Sequence, residues 1–145
     1  MGTKGQIVKA MAVIRRDRDG ALLVSEYTGP EAAPFHRPLG GHVEFGEYAR
    51  TTVHREFQEE IGQRLDDVRV LGVLENIFRW QDSTQHEIVF VFTASFADPA
   101  AYEIPEQRIL DGTDRWTRVV WRARGAAGPP LYPDGLTGLI ESQLK

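Results

Sequence analysis

The stretch GGHVEFGEYARTTVHREFQEEIG, residues 40–62, decides the fold of this chain of 145 residues. In its second half, apolar side chains recur at every fourth position, at Ala49, Val53, Phe57 and Ile61. That spacing predicts an amphipathic helix over residues 47–61, and Gly62 stands where a helix commonly ends.

Three carboxylates lie on or beside the apolar face of this predicted helix. At about 100° per residue, Glu60 falls inside the apolar stripe, and Glu56 and Glu59 fan out from its edge. A run of glutamates is usually a solvated face. Here Glu56 and Glu60 repel each other at a four-residue spacing and lose hydration at the core edge, so a divalent cation is the simplest compensation.

A divalent cation at this place would support a particular class of reaction. Mg²⁺ binds through a few carboxylates together with substrate phosphates, and it lowers the pKa of a bound water that a nearby glutamate can deprotonate. The pattern therefore predicts water attack on a phosphoanhydride. Arg50 also falls within the apolar stripe and is out of place there.

Composition limits the alternatives. A length of 145 residues with 41% hydrophobic content predicts a single domain over residues 1–145. The net charge of -4 argues against nucleic-acid and membrane partners, and the absence of cysteine excludes disulfides. With no apolar run near its start, the chain is expected to be cytoplasmic, and a homodimer is compatible with these features.

The remaining pattern is that of an α/β domain. Strand-like residues occupy 6–15 and 21–27, then 68–80, 86–96 and 116–121, and a short helix is expected after residue 133. Between the second strand and the carboxylate helix, the segment 28–46 is rich in Gly and Pro and predicts a long ordered loop. Loops of that length are usually functional.

Residues 41–62 closely resemble the Nudix hydrolase signature, G-x5-E-x7-R-E-U-x-E-E-x-G-U, where U is a bulky apolar residue. The matching residues are Gly41, Glu47, Arg55, Glu56, Phe57, Glu59, Glu60 and Gly62. The departures are Gln63 at the last apolar position and the order Pro38-Leu39 where many members have Leu-Pro. The resemblance implies an α/β/α sandwich around a central mixed β-sheet.

The resemblance also implies roles for the residues of the signature. Glu56, Glu59 and Glu60 would bind Mg²⁺, or Mn²⁺ in its place, with the Gly40 carbonyl as a possible further ligand. Either Glu59 or Glu56 would deprotonate the attacking water. Arg55 would pair with Glu47 to brace the loop against the helix.

The resemblance defines the roles of residues outside the signature less closely. Glu44 is a further ligand or a surface acid, and a later acidic ligand would be Glu106, Asp111 or Asp114, each of which is more often a solvated loop charge. For the substrate, Phe35 and Phe78 could stack on a base and Arg37 could hold phosphates. Aromatic residues near strands more often serve packing.

The expected activity is hydrolysis of a nucleoside diphosphate linked to a group X. Members that act on ADP-ribose tend to carry a proline where this chain has Ile77, which lowers that possibility. Two alternatives stay open: a Nudix-fold domain that binds a nucleotide without cleaving it, and a hydrolase of a non-nucleotide diphosphate.

Overall fold

The computed structural model describes residues 5–30, 32–110, 115–125 and 127–143. Within these ranges the chain forms two four-stranded sheets and two α-helices. In chain order, the elements are β1 (Ile7–Ile14), β2 (Leu22–Tyr27), β3 (Phe35–Arg37), β4 (Leu39–His42), α1 (Ala49–Ile61), β5 (Leu65–Trp80), β6 (Ser83–Phe96), a 3₁₀ helix (Pro99–Glu103), β7 (Glu106–Leu110), β8 (Trp116–Arg122) and α2 (Leu136–Gln143).

The first sheet is mixed and has the strand order β4-β1-β6-β5. Its centre is the parallel pair of β1 and β6, in which Met11 lies beside Val91. The β-branched and aromatic content of both strands suits this position, since strands of a parallel pair are buried on two faces. The second sheet is antiparallel, with the order β3-β2-β8-β7.

Side chains alternate across β1 and divide the core in two. Ala10 and Ala12 pack with α1 and the second sheet, whereas Met11 and Val13 pack with Leu136 and Ile140 of α2. The central mixed sheet therefore lies between α1 on one face and α2 on the other. This is the predicted α/β/α arrangement.

The carboxylate helix has the predicted inner face. Val53 and Phe57 are fully buried, and the helix ends at Gly62, whose φ of 68° is left-handed and whose N–H bonds to the Gln58 carbonyl. Arg50 does not disturb this face, because its guanidinium lies 5.4 Å from the centre of the Phe92 ring and donates to the Val68 carbonyl. Its alkyl stem thus runs along the core edge while its charge stays at the surface.

The structure differs from the sequence prediction in the segment 28–46 and before the last strand. The predicted loop contains two short strands, β3 and β4, one in each sheet, so this segment links the two sheets. β7 was not predicted either. All three elements are only three to five residues long, too short for a clear strand pattern, and β4 pairs with β1 rather than with a neighbouring strand in the chain.

No helix in the described ranges combines the length and the apolar content that crossing a membrane requires.

Candidate active site

The site is built where β4 passes the first turns of α1. A Cβ added at Gly41 would lie 2.5 Å from the carboxyl carbon of Glu56, and one added at Gly40 would lie 2.0 Å from the Ala10 carbonyl oxygen. Both distances are far below van der Waals contact. The two glycines therefore let the helix carboxylate and the neighbouring strand β1 approach the β4 backbone.

Glu47, just before α1, is tightly held by hydrogen bonds. It accepts from Arg55 Nε at 2.8 Å and Arg55 Nη2 at 2.9 Å, from the Thr52 hydroxyl at 2.7 Å and from the Glu44 backbone N–H at 3.2 Å. These contacts, the Arg55 bonds foremost, lower the pKa of Glu47 to about 2, and Glu47 in turn raises the pKa of Arg55. Glu47 is thus ionised over the whole ordinary pH range.

Arg55 also contacts two of the three glutamates of the helix. Its Nη1 lies 2.9 Å from Glu56 Oε1 and 3.4 Å from Glu59 Oε2, and its Nη2 donates to the His42 carbonyl at 3.1 Å. One guanidinium therefore joins β4, the turn before α1 and two of the helix carboxylates. A planar fork of five N–H donors can do this, whereas an ammonium group cannot.

Glu60 lies on the buried side of this group. Burial, and next the contact with Glu56, raise the pKa of Glu60 to about 9, while the charge of Arg37 acts in the opposite direction. Glu56 and Glu60 thus share a site that disfavours two negative charges. A cation bound between the two carboxylates would relieve this repulsion.

The structure brings together only part of the predicted ligand set. Glu56 and Glu60 are in contact, whereas the Glu59 side chain is 60% exposed and lies against Arg55. Within the described ranges, no three His, Cys, Asp or Glu side chains converge as a ready metal site. The donor pair Glu56–Glu60 still fits a hard cation by its chemistry, since both members offer carboxylate oxygens.

The residues predicted to bind substrate lie at the β3 end of the site and on β5. Phe35 stacks on Tyr27 with ring centres 4.8 Å apart and also contacts Trp80 and Tyr132.

Phe78, the other predicted aromatic residue, is 39% exposed. Arg37, at the end of β3, acts electrostatically on Glu60, which places its charge near the carboxylates.

The additional acids have separate surroundings. Glu44 is exposed and lies 3.7 Å from Arg55 Nη2, at the rim of the site. Glu106 pairs with Arg118 at 2.6 Å on the second sheet, which also lowers the pKa of Glu106. Asp111 and Asp114 fall outside the described residues.

Sequence reasoning missed a second polar group. Lys9, Asn76 and Glu87 lie together on the first sheet, and both Asn76 and Glu87 are buried. Contacts between β1, β5 and β6 create this group, so no single segment displays it. The available signal was a charged residue just before an apolar run in each of two strands, Lys9 in β1 and Glu87 in β6.

Comparison with known proteins places the chain in a family. The NUDIX domain model matches residues 6–121, so the chain belongs to the Nudix family. The sequence resemblance is therefore confirmed, and the fold is that of MutT-like Nudix hydrolases.

Solved structures share this fold. The MutT Nudix hydrolase from Burkholderia pseudomallei shares 25% identity at a TM-score of 0.70, over 94% of this chain and 98% of that one. A Nudix hydrolase from Nitrosomonas europaea has 21% identity and a TM-score of 0.67, over 97% and 89% of the two chains. A UDP-X diphosphatase has the same fold, with 17% identity and a TM-score of 0.67, over 99% of this chain and 66% of that one.

Proposed function

We propose that this chain is a metal-dependent Nudix hydrolase, acting as a single domain over residues 1–145, that cleaves a phosphoanhydride in a nucleoside diphosphate linked to a group X. Membership of the family supports the reaction class. The observation that carries the proposal is the contact between the Glu56 and Glu60 carboxylates, together with the close approach of the Glu56 carboxylate to the β4 backbone at Gly41.

A divalent cation is the cofactor that this donor set suits. We assign Glu56 and Glu60 as its first ligands, with Glu59 and the Gly40 carbonyl completing the protein's share, and Mg²⁺ as the ion, or Mn²⁺ in its place. Such an ion neutralises phosphate charge and lowers the pKa of a bound water. The protein supplies the oxygens at the place where two of its own carboxylates repel each other.

Glu59 is the residue best placed to take the proton from the attacking water. Its side chain is 60% exposed, whereas that of Glu56 is 16% exposed and contacts both Arg55 and Glu60. A base has to reach the water whose proton it removes. Glu56 is the alternative base, and comparing the two Gln variants separates them.

Arg55 and Glu47 act as positioning residues in this proposal. They join the turn before α1 to the helix, and Arg55 holds Glu56 and Glu59 at the same time. Arg37 is assigned to the phosphates, because its charge already acts on Glu60 and a positive side chain there can bind the anionic substrate.

The test is product chromatography on a panel incubated with Mg²⁺ or Mn²⁺: nucleoside triphosphates, oxidised nucleotides, nucleotide sugars, ADP-ribose and dinucleoside polyphosphates. Cleavage of one class that is lost in the Glu59→Gln variant supports the proposal and identifies X. Nucleotide binding without cleavage of any member would instead favour a non-catalytic sensor. Cleavage of a non-nucleotide diphosphate, assayed beside the panel, with no cleavage of any nucleotide would favour a non-nucleotide substrate.

A further inference from the structure

Lys9, Asn76 and Glu87, here called the polar triad, lie on the α2 side of the first sheet. Asn76 and Glu87 are direct partners in the register of β5 and β6. Leu74 and Val89, two residues away on the same strands, pack in the α2-side core, so Asn76 and Glu87 share that face. Lys9 joins them there because it lies two residues before Met11 of the same core.

The triad is buried and incompletely bonded. Lys9 Nζ lies 2.8 Å from Glu87 Oε2, and Glu87 and Asn76 are 6% and 8% exposed. Among the residues that the structure describes, Asn76 Nδ2 is the one buried side-chain nitrogen or oxygen without a hydrogen-bond partner. Buried amides normally have partners, so this free donor indicates a group that binds there.

The order of the strands determines the order of the hydrogen-bonding groups across the sheet. β6 lies between β1 and β5, so the Glu87 carboxylate lies between the Lys9 ammonium and the Asn76 amide. Across the sheet the triad presents a donor, an acceptor and a donor, because the carboxylate has a second oxygen and the ammonium has three N–H groups. A complementary ligand edge would present an acceptor, a donor and an acceptor.

We infer that the polar triad recognises the base of the substrate through an acceptor–donor–acceptor edge, an inference that rests on the proposed nucleotide hydrolase function. Uracil and thymine present this edge through O4, N3–H and O2, and 8-oxoguanine presents it through O6, N7–H and O8. Cytosine, adenine and unmodified guanine present other orders. Asn76 and Glu87 are thus specificity-determining residues.

The triad lies within reach of the carboxylate site. Lys9 is the register partner of His42 on β4, and the His42 carbonyl accepts a hydrogen bond from Arg55 of α1. The charge of Arg37 also acts on both Lys9 and Glu60. One ligand could therefore place its base at the triad and its phosphates at Arg37 and α1.

Aromatic rings flank the triad on the same face. By strand alternation Phe78 and Trp80 follow Asn76 on the α2 side of β5, and Phe78 is 39% exposed. A ring in that position can stack on a base, a contact that tolerates any base and leaves the selection to hydrogen bonds.

The test is calorimetric binding of nucleoside monophosphates to the whole chain: UMP, dTMP, CMP, GMP, AMP and 8-oxo-dGMP. We expect at least one ligand with the acceptor–donor–acceptor edge to bind about tenfold or more tightly than CMP, GMP and AMP, as for matched against mismatched base edges. Comparing the dissociation constants of UMP and dTMP with that of 8-oxo-dGMP shows which base supplies this edge. Equal dissociation constants across the set would overturn the inference.

Variants at Asn76 give a second, directional test. Asn76→Asp replaces the donor by an acceptor, so we expect preference to move towards GMP, whose N2–H, N1–H and O6 then match the triad. Asn76→Leu removes the donor without adding charge. It should reduce the preference for UMP over CMP, measured as the ratio of their dissociation constants, about tenfold. Wild-type discrimination in a folded Asn76→Leu variant would contradict the inference. Gln107→Glu on β7 is the matched control and should change nothing.

This test separates the inference from the proposed function, because monophosphate binding does not require turnover. Base discrimination without cleavage of any substrate would retain the triad as a recognition site and remove the hydrolase. Cleavage without base discrimination would retain the hydrolase and remove the triad as a recognition site.

Discussion

Arg55 holds Glu47 through two hydrogen bonds, from Nε to Oε2 at 2.8 Å and from Nη2 to Oε1 at 2.9 Å. Glu47 precedes α1 and Arg55 lies within it, so the pair fixes the turn after β4 against the helix. The same guanidinium contacts Glu56 and Glu59. The pair thus links the local fold to the position of the carboxylates.

Replacing the Arg55 guanidinium by an ammonium group should separate the effect of its charge from the effect of its geometry. In Arg55→Lys the positive charge stays, but a single ammonium cannot bond Glu47 twice and reach the His42 carbonyl as well. We expect the melting temperature to fall by several degrees and kcat to fall about tenfold or more, measured by calorimetry and steady-state turnover. Arg69→Lys, on a 74% exposed side chain of β5, is the control. Wild-type kcat in Arg55→Lys would contradict a positioning role.

The Glu47 contacts predict a pH dependence of stability. The pKa of Glu47 falls from an ordinary 4.5 to about 2 in the folded protein. Glu47 therefore contributes stability that is complete above pH 4.5 and is lost as the pH falls through about 2. The difference in unfolding free energy between the wild type and Glu47→Gln should shrink over this window, as followed by urea unfolding at a series of pH values.

Asp19 provides the control for that experiment. Its hydrogen bonds with Arg16 lower its pKa to about 2 in the turn between β1 and β2. Asp19→Asn should show a similar acid dependence but full turnover at neutral pH, while Glu47→Gln loses turnover as well. A difference between wild type and Glu47→Gln that stays constant from neutral pH to pH 2 would refute the assignment.

Gly41 should be intolerant of a side chain for a functional reason. The added Cβ would lie 2.5 Å from the Glu56 carboxyl carbon, at the far end of a flexible side chain that can move away. We expect Gly41→Ala to fold but to lose metal-dependent turnover about tenfold or more, because Glu56 is displaced. Gly128→Ala, where nothing lies within 4 Å, is the matched control. Equal turnover in both variants would argue against Glu56 as a ligand.

The two candidate bases make different predictions. Glu59→Gln should keep the wild-type melting temperature, because the side chain is 60% exposed, and should reduce kcat by about 10²–10⁴-fold, as for removal of a general base. Glu75→Gln, on a 68% exposed side chain of β5, controls for loss of a surface charge. A larger loss in Glu56→Gln, with Glu59→Gln near the wild type, would transfer the role of base to Glu56.

The helix and its acids were predictable because the signals are local. The four-residue apolar spacing predicted the buried residues Val53 and Phe57, and the wheel placed Glu60 towards the core. Arg50 needed the structure, since its contacts with the Phe92 ring and the Val68 carbonyl explain its place. The helical-wheel prediction of crowding between Glu56 and Glu60 agrees with the raised pKa of Glu60.

Other parts of the fold and of the site could not be predicted. β3 and β4 lie in a segment rich in Gly and Pro, and their hydrogen bonds come from β2 and β1. The polar triad depends on the pairing register of β5 and β6 and on Lys9 from the distant strand β1, so its buried amide at Asn76 had no local sign. That the Glu59 side chain lies against Arg55, which also contacts Glu56, could not be read from the spacing either.

The most direct test of the cation site is Mn²⁺ binding followed by electron paramagnetic resonance, since free and bound Mn²⁺ give different signals and no turnover is needed. We expect one Mn²⁺ to bind the wild type, and Glu60→Gln to weaken that binding about tenfold or more, while Glu103→Gln on the 3₁₀ helix binds as the wild type does. Equal Mn²⁺ affinity in Glu60→Gln and the wild type would contradict the assignment of the Glu56–Glu60 pair as the metal site.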